Sequence, residues 1–365
     1  MIQLLASTRS KEYPIFLSRG ALAEIGNLWK SHGRRGKVVI ITDRNVADFY
    51  LGRAEEAFQK ADFKVASVVV QAGEEAKSIK RASKLYSRLY ELQTRRRDTI
   101  CALGGGVVGD LAGFVASTYM RGIGLVQVPT TLLSQVDSSI GGKVGINIAE
   151  AKNYVGSFYQ PDMVVTDPSL LKSLPRGQLV EGLAEVVKYA LLSGDDFFSA
   201  LEDSYGEFLG LNMSFVEPVV RRCIEYKLGV VSEDERDFGL RAVLNLGHTV
   251  GHGIEAAGQY RLYSHGQAVA LGLLAAVWLS EEVFSLEAEY TVRLKALLDA
   301  LGLPTVLADT DPDVAIAAMA SDKKADDLSA NMVLMKRLGE PVINCDVDAD
   351  MLKDVVMRLS REGLK

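Results

Sequence analysis

Three of the four histidines in the chain, His248, His252 and His265, fall between positions 245 and 269. His248 and His252 are four residues apart, so a helix would place both on one face, roughly 5–6 Å from each other. His265 follows after a loop and begins the next helical pattern. Imidazole is a common ligand of zinc, and such clustering favours a metal site over ordinary core or surface histidines.

A carboxylate is expected as a further ligand, because a catalytic zinc typically takes three protein ligands and keeps one position open. The apolar stretch "EGLAEVVKYALL" offers Glu181 or Glu185. Spacing leaves two arrangements open: the helical pair binds together, or one of the two joins His265. A peptidase is disfavoured, because Thr249 stands where an HExxH motif has glutamate.

A glycine-rich turn lies in "TICALGGGVVGDLAGF", where Gly104, Gly106 and Gly109 separate a strand pattern from a helical one. Such glycines let a phosphate approach backbone N–H groups at a helix start. The turn comes late in the chain, and no acid follows about 20 residues later, as a common dinucleotide motif requires. Asp43 and the segment "AGEEAK" (72–77) follow other strand patterns. Together they predict a dinucleotide at the carboxyl edge of a sheet.

Several cations occur in segments that otherwise look buried. An unpaired ammonium in a desolvated site costs several kcal/mol, so an acid or an anionic ligand must neutralise it. Surface lysines with buried stems are the simpler explanation for residues such as Lys80 and Lys84. A compact substrate carrying phosphate and carboxylate would account for the others, which are Arg121, Lys143, Lys152, Lys188, Lys227, Arg241, Lys323 and Lys324.

The elements that would position these groups change character near residue 176. Before it, short β-branched runs that are apolar on both faces alternate with amphipathic stretches, which predicts a Rossmann-like parallel sheet covered by helices. These runs occupy 37–43, 65–70, 99–104, 124–129 and 163–167. After it, the pattern is helical except for one β pair in 332–347. We expect an α/β domain over 1–176 and a mostly α-helical domain over 177–365.

Composition excludes several classes of protein. The 365 residues carry a net charge of −6, which argues against binding to nucleic acid or to an anionic membrane. The apolar run at 268–279 is shorter than the ~20 residues that span a bilayer, and the N-terminus lacks the apolar core of a signal peptide. Three distant cysteines fit buried thiols in a reducing compartment. We expect a cytoplasmic protein.

Seven segments resemble, in order, the motif series of the 3-dehydroquinate synthase family, and the resemblance as a whole extends over about 42–340. The resemblance implies conversion of a sugar-acid phosphate, 3-deoxy-D-arabino-heptulosonate 7-phosphate, to 3-dehydroquinate and phosphate. It also implies NAD+ used catalytically, a divalent metal (Zn2+, with Co2+ as a possible substitute) and a homodimer. The segments are "GGGVVGDLAGFVASTYMRG", "QVPTTLLSQVDSSIGGKVGIN", "AKNYVGSFYQP", "EGLAEVVKYALL", "EDERDFGLRAVLNLGHTVGHGIE", "HGQAVALG" and "SDKK".

The same resemblance implies roles for individual residues. The metal ligands would be Glu185, His248 and His265, which leaves His252 to meet the substrate phosphate. Arg121 would reach the phosphate in the neighbouring subunit. The implied NAD positions are Asp43, Glu74, Lys77, Gly105, Gly106, Val107, Asp110, Thr130, Thr131, Lys143 and Lys152. The implied catalytic and substrate positions also include Asp137, Lys143, Asn153, Lys188, Lys227, Arg241, Asn245 and Lys324.

Two positions depart from the family pattern: Ala151 replaces a usual glycine, and Gln267 replaces a frequent glutamate. Cyclases that act on substrates without a carboxylate should lose Lys227, Arg241 or Asn245, and all three are present. The residues do not distinguish a 3-dehydroquinate synthase from an aminodehydroquinate synthase. A metal-dependent polyol dehydrogenase would not need the cations, and a non-catalytic descendant should lack a ligand.

Overall fold

The computed structural model describes residues 1–149, 151–308, 310–321 and 330–361. It divides into two compact units. The first comprises Met1–Pro175 and Met213–Arg236, and the second comprises Arg176–Asn212 and Asp237–Lys365. Lys323 and Lys324 lie outside the described residues.

The described residues form eleven strands, and most belong to the first unit. Their bounds are β1 Ile2–Ser7, β2 Glu12–Leu17, β3 Lys37–Asp43, β4 Lys64–Val70, β5 Thr99–Gly104, β6 Gly124–Pro129, β7 Lys143–Ile146, β8 Val155–Phe158, β9 Met163–Thr166, β10 Ala330–Arg337 and β11 Glu340–Val347.

Thirteen α-helices lie in the same described ranges. Their bounds are α1 Ala21–Ser31, α2 Arg44–Val46, α3 Gly52–Lys60, α4 Ile79–Glu91, α5 Gly106–Thr118, α6 Arg176–Ser193, α7 Asp195–Leu209, α8 Met213–Glu233, α9 His248–Ala257, α10 His265–Phe284, α11 Glu289–Leu301, α12 Pro312–Ser321 and α13 Ala349–Arg361. Short 3-10 or π turns occupy Ala47–Leu51, Glu74–Ala76, Tyr119–Arg121, Ser134–Ser138, Pro168–Ser173 and Leu240–Asn245.

A seven-stranded sheet organises the first unit, in the order β1-β2-β9-β6-β5-β3-β4. Every neighbouring pair is parallel except β1 and β2, which form an antiparallel hairpin. Successive residues of β3 point to opposite faces, so Ile40 joins the core beneath α1 and α3, and Ile41 joins the core beneath α5. The predicted α/β sheet with helices on both faces is confirmed.

Two parts of this sheet differ from the sequence expectation. β4 was expected to be buried on both faces, but it is the edge strand, and the side chain of Val69 is 45% exposed. The hairpin of β1 and β2 was not predicted. Pro14 interrupts the β2 pattern; it lies opposite Leu5 of β1 and precedes Ile15, the first residue of β2 that pairs with β9.

The second unit is mostly helical, as predicted, with the β10–β11 hairpin in the expected segment. α10 is its central helix and contacts α6, α9, α11, α13 and β10. Glycines allow the closest approaches: a Cβ on Gly272 would overlap the carbonyl oxygen of Gly247, and one on Gly266 would overlap the backbone of Glu181. These contacts bring α6, α9 and α10 together at their histidine- and glutamate-bearing turns.

α10 is long and apolar enough to pass a length-and-composition test for a membrane span. However, 72% of its apolar window is buried within the structure. Core helices of folded domains pass the same test, and α10 has buried side chains over most of its length. The buried helix predicted for 268–279 is therefore confirmed.

Candidate metal and cofactor sites

Glu185, His248 and His265 converge in the second unit. Glu185 lies in α6, His248 is the first residue of α9, and His265 is the first residue of α10. The Nε2 atoms of both histidines lie 3.4 Å from Oε1 of Glu185, and one ligand atom from each residue lies within 4.8 Å of the others. Two imidazole nitrogens and a carboxylate oxygen are a donor set that suits Zn2+.

The other ring nitrogen of each histidine is also engaged. Nδ1 of His248 lies 3.2 Å from the carbonyl oxygen of Leu246, which can only accept, so Nδ1 carries the proton of that bond. Nδ1 of His265 lies 3.2 Å from Oε2 of Glu255, a buried carboxylate. Both rings are thus held with Nε2 turned toward Glu185, the arrangement that orients metal-ligating histidines.

Charge in this cluster favours an ionised Glu185. Burial alone would raise the pKa of its carboxyl, but Lys188 and His248 hold that pKa well below its usual range. Lys188 is buried one turn along α6 and forms an ion pair with Glu185. Burial opposes protonation of His265, but its hydrogen bonds to Glu185 and Glu255 raise its pKa to about 10.

Spacing left open which glutamate and which histidines come together, and the structure places these residues differently. Glu185, and not Glu181, faces the two histidines; burial raises the pKa of Glu181, although Ser264 and His265 counteract this. His252 is exposed, and its ring centroid lies 5.4 Å from that of His248. His252, Glu255 and His265 form a second group whose ligand atoms also lie within 4.8 Å of one another.

The predicted dinucleotide turn lies in the first unit, between β5 and α5. Gly105 is the residue before α5, and no described side chain caps this helix start. A Cβ on Gly105 would lie 2.9 Å from Thr131, so the residues after β6 adjoin the turn. The hydroxyl of Thr130 is buried without a hydrogen-bond partner among the described residues. A helix start without a side-chain cap, beside such a hydroxyl, suits an anionic, hydroxyl-rich ligand.

Asp43 ends β3 as expected. Its Oδ1 accepts from the backbone N–H groups of Asn45 and Val46, at 2.8 and 3.1 Å. The carboxylate therefore caps α2 in addition to any contact that it makes with a ligand. Val107 lies in the first turn of α5, where the helix start positions it beside the glycines.

Lys77 connects the predicted NAD and substrate positions of the first unit. Its buried Nζ lies 2.7 Å from Oδ2 of Asp110 and 3.7 Å from Oε1 of Glu74, and it also donates to Oδ1 of Asn153. Burial raises the pKa of Asp110, and the charge of Lys77 opposes that effect.

A second buried cation, Lys227 of α8, donates to the backbone oxygen of Asp137 at 2.7 Å and lies 2.9 Å from its Oδ1.

The remaining predicted positions are distributed over both units. Lys143 begins β7 and is exposed, and Lys152 is exposed on the connection to β8. Arg121 is exposed at the end of the 3-10 turn that follows α5, with a left-handed φ of 64°. Arg241 and Asn245 lie in the 3-10 turn that leads into His248, and Arg241 is buried. Lys324 lies outside the described residues.

Two side chains that contact this set were not singled out from the sequence. Glu255 touches His265, and Asn147 hydrogen-bonds Glu74 and the backbone of Asn153. Glu255 had a detectable signal, because it lies seven residues after His248 and therefore on the same face of α9. Asn147 had none, since Glu74 is distant in sequence and the contact with Asn153, six residues later, depends on the conformation of the intervening loop.

The family comparison agrees with these features. The family described as 3-dehydroquinate synthase N-terminal matches residues 67–181, and 3-dehydroquinate synthase C-terminal matches 182–325. A 3-dehydroquinate synthase of Desulforamulus reducens is 44% identical over 94% of this chain and 96% of its own. The chain belongs to the 3-dehydroquinate synthase family.

Solved structures of related cyclases have the same fold as this member of the 3-dehydroquinate synthase family. A 2-deoxy-scyllo-inosose synthase complexed with carbaglucose-6-phosphate, NAD+ and Co2+ has a TM-score of 0.88 at 27% identity, covering 98% of this chain and 99% of its own. A 2-epi-5-epi-valiolone synthase from Streptomyces hygroscopicus with NAD+ and Zn2+ has a TM-score of 0.87 at 26% identity, with the same coverage.

Proposed function

We propose that this chain is a 3-dehydroquinate synthase. It converts 3-deoxy-D-arabino-heptulosonate 7-phosphate to 3-dehydroquinate and phosphate, a carbon–oxygen lyase reaction on the route to chorismate and the aromatic amino acids. The reaction combines transient oxidation, phosphate elimination, reduction and intramolecular aldol closure. Membership of the family supports the activity, and the convergence of Glu185, His248 and His265 is the single observation that carries it.

Glu185, His248 and His265 would hold the divalent cation, Zn2+ or Co2+. The bound cation supplies Lewis-acid polarisation of substrate hydroxyls. The protein contributes the orientation of the ligands: Leu246 and Glu255 fix the two rings through Nδ1, and Lys188 keeps the carboxylate of Glu185 ionised. The two related cyclases that hold Co2+ or Zn2+ support this assignment.

NAD+ would bind along the carboxyl ends of β3, β5 and β6. The cofactor supplies a hydride acceptor that is regenerated in each turnover. The uncapped start of α5 would take the pyrophosphate, and Asp43 would accept hydroxyl groups of a ribose. The proposed contacts are Asp43, Glu74, Lys77, Gly105, Gly106, Val107, Asp110, Thr130, Thr131, Lys143 and Lys152.

The substrate requires cations for its carboxylate and its phosphate. Lys227 and Arg241 would hold the carboxylate, since a guanidinium can make a two-pronged contact. His252 would meet the phosphate, since its ring is exposed to solvent and is therefore accessible to a ligand. Asp137 accepts from Lys227, which would keep this buried amine charged and in place. Lys143, Asn153, Lys188, Asn245 and Lys324 complete the proposed substrate set.

The working protein would be a cytoplasmic homodimer. Arg121 of each subunit would reach the phosphate bound to the other, as the family resemblance implies. Its exposed side chain, in the 3-10 turn after α5, supports a role outside its own unit's core. A shared arginine requires that the two copies contact each other through the same surface.

Phosphate release tests the proposed activity directly. Purified protein with one NAD+ per active site and excess heptulosonate 7-phosphate should release many phosphates per site and form an equal amount of 3-dehydroquinate. Chelator should stop the release, and added Zn2+ should restore it. In a second assay with NAD+ in excess over substrate, net accumulation of NADH in proportion to substrate would instead identify a polyol dehydrogenase.

A further inference from the structure

Asn147 follows β7 and joins two predicted ligand-binding segments of the first unit. Its backbone N–H donates to the carbonyl oxygen of Lys77 at 2.8 Å, and it forms an isolated parallel bridge with Ser78. The end of β7 is therefore attached to the turn that carries Glu74 and Lys77. The side chain of Asn147 is half-buried at this junction.

Both ends of the Asn147 amide are used. Its Nδ2 donates to Oε1 of Glu74 at 2.8 Å, and its Oδ1 accepts from the backbone N–H of Asn153 at 2.8 Å. The chemistry fixes this orientation of the amide, because a carboxylate only accepts and a backbone N–H only donates. A rotated amide would lose both bonds at once.

Asn153 depends on this contact for its geometry. It has a left-handed φ of 54°. This conformation costs a non-glycine residue free energy, so it persists only where the surrounding structure holds it. Its backbone N–H is held by Asn147, and its side-chain oxygen accepts from Lys77. Asn147, Glu74, Lys77 and Asn153 thus form one connected set, with Asp110 attached through Lys77.

We propose that Asn147 is a positioning residue. It couples the turn that carries Glu74 and Lys77 to the substrate-facing Asn153. This inference rests on the proposed function, in which Glu74 and Lys77 contact NAD+ and Asn153 faces the substrate. In this role Asn147 acts on NAD+ through Glu74 and on the substrate through Asn153.

Two substitutions separate the two arms of this role. Asn147→Asp keeps the acceptor for Asn153 but replaces the donor to Glu74 with a like charge. It should raise the Kd for NAD+ about tenfold and leave the KM for heptulosonate 7-phosphate within about twofold. Asn147→Ala loses both bonds and should raise both constants, each by about three- to tenfold. The matched control is Asn27→Ala, which removes an exposed amide bonded to Glu24.

A double variant tests whether Asn147 acts through Asn153. In an Asn153→Ala background, Asn147→Ala should no longer change the KM for the heptulosonate phosphate, because the group it positions is absent. Independent, additive increases in KM would overturn the proposal. A lowered melting temperature with unchanged Kd for NAD+ and unchanged KM would also overturn it, since that result describes a structural role alone.

NAD+ binding is measured by equilibrium titration without substrate, so the outcome does not depend on turnover. If the wild-type protein binds NAD+ but releases no phosphate, the proposed function is contradicted. The effect of Asn147 on NAD+ affinity through Glu74 can still be measured in that case. A wild-type protein that binds NAD+ as tightly as the Asn147→Asp variant would contradict the role of Asn147 alone.

Discussion

Oε2 of Glu255 lies 3.2 Å from Nδ1 of His265, on the side of the ring opposite Glu185. A carboxylate in this position fixes the ring and keeps the proton on Nδ1, so that Nε2 can bind a metal. Glu255→Gln should weaken Zn2+ binding by about 10- to 100-fold. Competition with a chromophoric chelator measures this change without any enzyme assay.

Glu282→Gln is the matched control for this substitution, because Glu282 is an exposed carboxylate on α10, the helix that His265 begins. It should bind Zn2+ as the wild type does. The visible spectrum of the Co2+-loaded protein should change in Glu255→Gln and not in the control. Equal Zn2+ affinity in both variants would show that Glu255 does not orient His265.

Glu185→Gln should abolish metal retention and turnover while the protein remains folded. The amide is close in shape but lacks the negative charge, and it leaves Lys188 buried without its carboxylate partner, so a lower melting temperature is also expected. Zinc content by atomic spectroscopy and circular dichroism check these outcomes. Glu181→Gln, one turn away on α6, is the control and should retain zinc. Normal zinc content in Glu185→Gln would remove this residue from the site.

The sequence predicts much of this fold because its strongest signals are local. The runs that became β3, β5 and β6 are apolar on both faces, and the histidine spacing places His248 and His252 on one helix face. Position within a sheet is not local, and for that reason the edge placement of β4 was missed. The same limit applies to the contact between Asn147 and Glu74, which are 73 residues apart and meet only in the folded chain.

The pairing of His265 with Glu185 could not be predicted from residue spacing alone. Residue spacing offers three pairs of histidines and two glutamates. The close packing of α6, α9 and α10 brings Glu185, His248 and His265 together. That packing depends on Gly266 and Gly272, which accept neighbouring backbone where a Cβ would collide. Motif resemblance implies this set of ligands, whereas spacing alone does not.

Mixing two inactive variants should restore activity if Arg121 serves the partner subunit. In a hybrid of Arg121→Ala and Lys188→Ala chains, one site carries both lesions and the other carries neither. Random reassortment of equal amounts should therefore recover up to about a quarter of wild-type activity. Each variant dissociated and reassociated alone provides the baseline. Absence of recovery, with hybrids demonstrated by mass spectrometry, would assign Arg121 to its own subunit's site or to none.

Glu235, two residues after the end of α8, should give the first unit a pH-dependent stability. Burial would raise the pKa of its carboxyl, but hydrogen bonds from Ser10 and Gln160 lower that pKa below its usual value. A depressed pKa stabilises the folded state above the unfolded-state pKa and ceases to do so as the pH falls through the folded-state value. Glu235→Gln should therefore lose about 1–3 kcal/mol of stability at pH 7.

Denaturant midpoints measured from pH 7 down to pH 3 check this expectation. The difference between wild type and Glu235→Gln should shrink as the pH falls through the acidic range in which the wild-type carboxylate is protonated. Glu233→Gln, an exposed neighbour on α8, should follow the wild type throughout. A difference that stays constant with pH would mean that ionisation of Glu235 has no part in it.

The position of the bound cation tests the central claim most directly. A crystal of the zinc-loaded protein, with anomalous diffraction recorded at the zinc edge, should give one peak per chain. We expect that peak about 2.0–2.2 Å from Nε2 of His248, Nε2 of His265 and a carboxylate oxygen of Glu185. A peak bound instead by His252 and Glu255, or no peak beside Glu185, would contradict the account.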